Sequence, residues 1–410
     1  MEHIHLIGIG GTGLSAIARV LLERGYRVSG SDLEYSALAD SLMQAGALIH
    51  TGHEAENVRG ADIVIRSSAV PDDNVEVQEA RERGIPVVKR AEFLPRLTEG
   101  QKLIAVAGSH GKTTTTAMLA WILMALDQDP SFIVGGVVEN LHTNARAGDG
   151  DYFVIEADEY DEMFLGLEPE VAVVTNVEYD HPDYYPTPQA FEEAFRSFVG
   201  QLKSGGSLVL CAEDPGARGL RHEIDLDQDV YFYGFDNPDF NYMARNLQGQ
   251  DDGSYRFDFY TADIAMELFQ HVELGIPGEH NVLNALAALG VVDVLGLSVE
   301  QATAALADFQ GSGRRFDIRG EFAGVVIIDD YAHHPTEIRT TIRAAKDRYQ
   351  DRDLWVVWQP HTFSRTVALQ DEFRNCFQEA EHVVVTAVYP SREEKPQGFS
   401  MAEIVQNIDH

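Results

Sequence analysis

Seven consecutive residues carry the clearest chemistry in the chain: Gly108, Ser109, His110, Gly111, Lys112, Thr113 and Thr114, set between an apolar stretch at 103–107 and a run bearing Ala117, Leu119 and Ile122. Between a strand and a helix, such a run makes a phosphate loop. Its glycines let backbone N–H groups turn toward phosphate oxygens, and the helix N-terminus adds a favourable dipole. Lys112 then reaches the terminal phosphates and the Thr113 hydroxyl can ligate magnesium, so ATP with Mg2+ is the ligand predicted. A second glycine run, Gly8, Gly10, Gly11, Thr12 and Gly13, has the spacing of a diphosphate-binding turn, and Asp32 follows at the distance of a ribose-binding acid. Alone it would suggest NAD(P), but such a loop grips any diphosphate, and a dehydrogenase does not explain an ATP loop further along.

Other polar residues cluster just past apolar stretches, where an open parallel sheet presents side chains to a ligand crevice. Glu156 follows residues 152–155, and Asp180 and His181 follow residues 171–175. Thr113 and Glu156 are the expected metal ligands, and His181 is placed for a metal or a phosphate role. An acidic cluster in so acidic a chain could otherwise be a solvated loop, and a lone histidine a structural one. Further on, Asp330, His333, His361, Arg365 and Arg392 each lie beyond a strand-like run, as does Ser67 near the start. Guanidinium grips carboxylate in bidentate fashion, which makes Arg365 and Arg392 candidate partners for a small acid.

The elements needed to position these groups are those of an α/β protein. Residues 3–7, 27–29, 61–66 and 86–88 read as strands of a first Rossmann-like sheet over 1–98, closed by a polar hinge at 98–101. A second unit over 99–310 takes strands at 103–107, 152–155, 171–175 and 208–210, hairpins between 225 and 271 with a turn at 251–253, and a helix opening near Asn281. A third over 311–410 has strands at 325–328, 354–358 and 382–386 and helices from 336 and over 367–377. The 410 residues are 44% hydrophobic and carry a formal charge of −35, which disfavours nucleic acid and anionic membranes as partners. No stretch approaches a membrane span and the N-terminus has no basic leader, so a cytoplasmic protein is expected. Cys211 and Cys376 have no metal-ligand spacing and are expected to be buried thiols.

Taken together, the blocks at 8–13, 29–32, 108–116, 156–159, 180–181, 280–281, 314–316, 330–335 and 359–366 resemble the Mur ligase family over essentially the whole chain. Within it they look most like the members that join L-alanine to the carboxylate of UDP-N-acetylmuramate by way of an acyl phosphate. The resemblance implies a UDP-binding N-terminal domain, a central ATPase domain and a C-terminal Rossmann-like domain that presents the amino acid. It puts the UDP diphosphate on Gly8–Gly13 with Asp32 near the nucleoside, ATP and magnesium on Lys112 and Thr113, and metal on Glu156 and His181. It sets Asn281 against the adenine, Arg315 and Asp330 beside the nucleotide, and His361 and Arg365 at the alanine end. Several relatives carry a carbamylated lysine in the helix after the Asp-His pair; residues 191–196 offer Arg196 instead, so no carbamate is expected. The family's third domain usually runs on past the position of His410, so either a fragment or an abridged third domain is expected, in a monomer or homodimer.

Rival readings are a recycling ligase that adds a tripeptide to the same UDP-sugar, a folylpolyglutamate-type ligase, which would lack the first domain, and a non-catalytic nucleotide-binding relative. No residue is identified as the base for the alanine amine.

Overall fold

The computed structural model describes residues 1–225, 227–251, 253–261, 268–391 and 393–409. In the first unit, β1 (His3–Ile7), β2 (Arg27–Asp32), β3 (Leu48–Thr51), β4 (Ile63–Arg66) and β5 (Val87–Lys89) form a parallel sheet in the order β3-β2-β1-β4-β5. Helices α1 (Thr12–Glu23), α2 (Ala37–Gln44), α3 (Val75–Glu82) and α4 (Arg90–Thr98) connect and flank it. The strand order reverses beside β1, so the loop after β1 opens into the crevice where such sheets bind ligands. Sequence reading missed β3, whose Leu48 and Thr51 are exposed and which has no buried face to set an alternating pattern.

The second unit holds β6 (Lys102–Ala107), β7 (Ser131–Val138), β8 (Thr143–Arg146), β9 (Tyr152–Glu156), β10 (Val171–Val174), β11 (Ser207–Cys211), β12 (Asp229–Phe235), β13 (Tyr242–Gly249), β14 (Tyr255–Thr261) and β15 (Leu268–Leu274) in one ten-stranded sheet. Its order is β15-β14-β13-β12-β11-β10-β6-β9-β7-β8. β6, β9 and β10 are buried on both faces, which is why they read as unbroken apolar runs. The region expected to be hairpins is one only from β13 onward: β12 and β13 pair in parallel. The expected turn at 251–253 includes Asp252, which lies outside the described residues. Helices α5 (Lys112–Ala125), α6 (Pro188–Val199), α7 (Pro215–Gly219), α8 (Glu279–Val294) and α9 (Val299–Ala307) cover the sheet. α5 and α8 are apolar nearly all round because each lies in a sandwich of helix and sheet.

In the third unit β16 (Asp317–Phe322) and β17 (Val325–Asp329) pair antiparallel, and β18 (Trp355–Trp358) and β19 (His382–Val385) pair parallel, in two separate ladders. Among the described residues the two ladders are not hydrogen-bonded to each other. With them go α10 (Pro335–Arg348), α11 (Phe363–Ala368), α12 (Gln370–Asn375) and α13 (Met401–Gln406). The helix expected over 367–377 is thus two short helices broken at Leu369. Ile338, Ile342, Trp358, Phe373 and Phe377 form the core on one side. On the other, Val325, Ile327, Trp355, Val357 and Val384 are exposed.

The first and second units share one apolar core, in which Leu14, Ile17, Phe93 and Leu97 meet Phe153, Phe164 and Phe198. The third has its own, against which Tyr179 of the second unit packs.

Candidate active site

β6 ends at Ala107 and the chain turns through Gly108, at φ +136°, and Gly111, at φ +82°, into α5. Glycine is required at both: a side chain at Gly108 would collide with Thr175, and one at Gly111 with Asn284. His110 N–H donates to Asn176 Oδ1 at 2.8 Å, and Ser109 Oγ donates to Glu178 O at 2.6 Å, so the loop is braced by the segment after β10. Lys112 is folded back onto the loop. Its Nζ donates to the carbonyls of Gly108 and Ser109 and lies 2.8 Å from Glu159 Oε2, an acid with a side chain only 1% exposed. Burial works against the ammonium, but Glu159 and then Glu156 raise its pKa.

Thr113 Oγ1 donates to Glu156 Oε1 at 3.0 Å, and Gly135 N–H donates to Glu156 Oε2 at 2.7 Å. Burial raises the pKa of this carboxyl group, which is the condition of an acid short of positive charge. His181 lines the same cavity, of about 520 Å³, with Nε2 at 3.5 Å from Glu159 Oε1. The His181 backbone is left-handed, at φ +54°, and is held there by its N–H to Asp180 Oδ1 and by its carbonyl accepting from Tyr184 and Tyr185. Strain maintained by its surroundings is a mark of a functional position. Arg196 lies well away, half exposed and paired with Glu223.

A second cavity, of about 490 Å³, opens on the other side of the loop and is lined by His110, Thr113, Thr114, Asn281, Arg315 and Asp330. That volume suits a nucleotide. The Asn281 amide donates to Pro277 O at 2.6 Å and its oxygen accepts from Asn284 at 3.0 Å, so both ends are engaged within the wall. Asp330 accepts from Phe316 and Ala332 N–H, shaping the entry to β16.

Between these cavities runs a charged network that sequence reading did not anticipate. His110 Nε2 lies 3.0 Å from Glu178 Oε2, and its Nδ1 lies 3.5 Å from Glu337 Oε1. Glu337 also takes Arg315 Nη1 at 3.0 Å, and Thr336 Oγ1 donates to Glu178 at 2.7 Å. Burial opposes the charge on His110, but its hydrogen bond to Glu178 and its ion pair with Glu337 raise its pKa to about 9, while the bond to His110 holds Glu178 at about 2 against burial. His110 therefore adds stability fully below its ordinary 6.5 and loses it as pH rises through about 9, and Glu178 adds stability above its ordinary 4.5, lost as pH falls through about 2. The nucleotide-free protein should accordingly lose thermal stability across the alkaline interval, and His110→Gln should flatten that slope. Melting curves from about pH 6 to about pH 10 measure it, and an unchanged slope in the variant removes the ion pair.

In the first unit, Gly8 N–H donates to Ser31 O and Gly10 N–H to Asp32 Oδ2, both at 2.8 Å. Asp32 thus turns one carboxylate oxygen onto the glycine loop. Gly8, Gly11, Thr12, Gly13 and Ser67 line a third cavity, of about 390 Å³, whose far wall is His361, Thr362 and Arg365.

At that wall Arg365 is paired with an acid of the second unit. Its Nε and Nη2 donate to the two oxygens of Asp180, at 2.6 and 3.2 Å, and Nη1 meets His361 Nδ1 at 3.1 Å. Both partners of the pair are at most 4% exposed. The fork expected to face a free carboxylate is closed on Asp180. His333 and His361 are 5.6 Å apart, and burial pushes their pKa values down to about 3 and about 4, so both rings are neutral at neutral pH. Arg392 lies outside the described residues. Cys211 and Cys376 are buried, with thiols pushed up to about 11 and about 12 by burial.

Comparison with known proteins agrees along the chain. The families described as Mur ligase family, catalytic domain; Mur ligase middle domain; and Mur ligase, glutamate ligase domain match residues 3–102, 106–292 and 314–410. The UDP-N-acetylmuramate--L-alanine ligase of Roseiflexus sp. (strain RS-1) is 45% identical over 95% of this chain and 86% of its own length. That of Syntrophomonas wolfei is 44% identical over 98% and 86%. The crystal structure of the UDP-N-acetylmuramate-alanine ligase of Thermotoga maritima superposes with a TM-score of 0.80 at 32% identity, covering 95% of this chain and 86% of that one. A murein peptide ligase from Psychrobacter arcticus gives 0.77 at 28% identity, covering 100% and 88%.

Proposed function

The chain belongs to the Mur ligase family, and from that membership we propose that it is the ATP-dependent ligase that joins L-alanine to the carboxylate of UDP-N-acetylmuramate, for peptidoglycan synthesis. One observation carries the reading at the level of the site: the cavity of Lys112 and Glu156 and the cavity of the first glycine loop share walls, among them Thr12, Gly13, His181, His361 and Arg365. Three substrates can therefore meet there. We assign 1–98 to the UDP-sugar, 99–310 to ATP and 311–410 to the amino acid, and place the reaction in the cytoplasm, where nucleotide sugars and ATP are found.

A carboxylate is a poor acyl donor and is first activated. One of its oxygens forms a bond to the γ-phosphorus while the β–γ bridging oxygen keeps the bonding pair and departs with ADP. Lys112 exchanges the loop carbonyls it now holds for phosphate oxygens and offsets their charge. The unprotonated alanine nitrogen then bonds to the acyl carbon, phosphate leaves with the C–O pair, and the nitrogen gives up one proton to solvent. The neutral rings of His333 and His361 present no positive charge to the incoming amine. Much of the rate comes from holding bound partners in line. Thr113 and Glu156 would hold magnesium, with His181 across the cavity; hard oxygen donors beside a buried carboxylate short of positive charge suit that ion. When bound, it supplies charge stabilisation at the phosphate oxygens.

Phosphate release with UDP-N-acetylmuramate, ATP and each amino acid or the tripeptide in turn tests the assignment. Turnover with alanine and not with tripeptide is expected; the reverse would move the protein to the recycling reaction. For the first unit, a side chain at Gly11 would meet only Gly8 O at 3.5 Å, so Gly11→Val should fold normally. It should obstruct the diphosphate and weaken UDP-sugar binding about tenfold or more, leaving ATP affinity intact. Calorimetry showing unchanged UDP-sugar affinity would remove the loop from the site.

A further inference from the structure

Arg90, the first residue of α4, stands where the sugar and phosphate cavities join. Its guanidinium lies so close to Gly13, in the first turn of α1, that any side chain there would collide with it, and it lines both cavities. Three other cations of these walls are closed on buried acids: Lys112 on Glu159, Arg315 on Glu337 and Arg365 on Asp180. Arg90, like Arg315, engages its acid through one nitrogen only, but its partner is far less buried and it alone of the four stands against Gly13. Its Nη2 donates to Asp158 Oδ2 at 2.9 Å, Asp158 is 35% exposed, and among the described residues no hydrogen bond engages its Nε or Nη1. The edge of the fork that could take a second anion is therefore open.

We propose that Arg90 receives the carboxylate on the lactyl arm of the UDP-sugar and holds it at the phosphate loop for phosphorylation. The inference rests on UDP-N-acetylmuramate being the substrate. A sugar anchored by its diphosphate on the N–H groups at the start of α1 must send that arm toward Lys112 to meet the γ-phosphate. The approach brings two anions together in a partly desolvated space, where their repulsion is strong. A guanidinium at the joint offsets it and orients the carboxylate through paired N–H donors, which an ammonium cannot do. The diphosphate has the backbone donors and dipole of α1; the carboxylate, further along, has Arg90. Asp158 keeps the guanidinium turned across the gap between α4 and α1.

Two ligands separate the possibilities: UDP-N-acetylmuramate, and UDP-N-acetylglucosamine, which has the same diphosphate and sugar ring without the lactyl carboxylate. Calorimetry on the whole protein should show the wild type preferring the first. Arg90→Gln should weaken UDP-N-acetylmuramate by about tenfold or more and leave UDP-N-acetylglucosamine unchanged, so that the preference collapses. Arg90→Lys should keep part of it and raise the KM for the UDP-sugar more than that for ATP. Equal losses for both ligands would overturn the proposal in favour of a diphosphate contact, and an intact preference in Arg90→Gln would overturn it outright. If that variant binds neither UDP-sugar nor ATP, Arg90→Lys decides, and full wild-type preference there overturns the proposal. A wild type with no preference would instead refute the substrate reading on which the inference stands.

Discussion

Lys112→Ala is expected to lower turnover by roughly a thousandfold or more while UDP-N-acetylmuramate still binds. The ammonium is the one lysine of the phosphate loop, and it is buried against Glu159 with Glu156 nearby. Removing it leaves two acids facing the nucleotide's terminal phosphates, so repulsion is added where stabilisation was lost. The loop itself should survive, because its shape rests on Gly108, Gly111 and the bonds from Ser109 and His110 to the segment after β10. The readouts are phosphate release, ATP affinity and UDP-sugar affinity measured side by side. Turnover within tenfold of wild type would remove the phosphate-loop assignment, and a parallel loss of UDP-sugar binding would mean the lysine holds the fold.

Arg365→Ala is the second large effect. Both members of the Asp180–Arg365 pair are buried, and removing one strands the other charge, at a cost of about 3–5 kcal/mol. Arg365→Lys keeps the charge and loses the fork, and is expected to be milder in the same direction. Because the fork is engaged by Asp180, neither variant should act on alanine alone: melting temperature, alanine dependence and UDP-sugar affinity should fall together, since Arg365 and His361 also wall the sugar cavity. A stable Arg365→Lys protein with only its alanine dependence raised would show that the guanidinium faces the alanine carboxylate in the working complex. Asp180→Asn combined with Arg365→Lys should lose less than the sum of the two single changes, as expected for one shared contact.

What the sequence disclosed was whatever is local. The phosphate loop, the first glycine loop and the strands β6, β9 and β10 are each written within a dozen residues, in glycine spacing or unbroken apolar runs. β8, the edge strand, and β7 beside it escaped because they carry Asn144 and, in β7, Gly135 and Gly136 rather than a clean pattern. The charged network escaped for another reason: His110, Glu178 and Glu337 come from three distant segments, and only the tertiary fold brings them together. Glu337 had a local signal, since it follows Pro335 at the third helical position and accepts from the His334 N–H as a cap, but that signal predicts a helix start and says nothing of Arg315. Glu159 lay inside the acidic run that singled out Glu156, three residues beyond it. Which acid of a run faces the lysine depends on how the chain turns after β9, and that turn has no spacing rule. Arg365 and Asp180 were each singled out, and their pairing was not: a bidentate guanidinium predicts a carboxylate without saying whose.

The third unit meets the second through polar contacts that include Asp180–Arg365, Glu178–Thr336, His110–Glu337, Tyr255–Asp347 and the backbone bonds of Glu139 to Gly311 and of Gly313 to Val137, and Tyr179 packs at the edge of its core. Contacts of this kind can be traded for water. If the third unit swings away in each catalytic cycle, breaking these ion pairs would let ADP and the UDP-sugar with its new alanine leave, and re-forming them would draw the unit back over the next substrates. If that swing limits the rate, added salt should quicken product release while weakening closure, giving turnover an optimum in ionic strength.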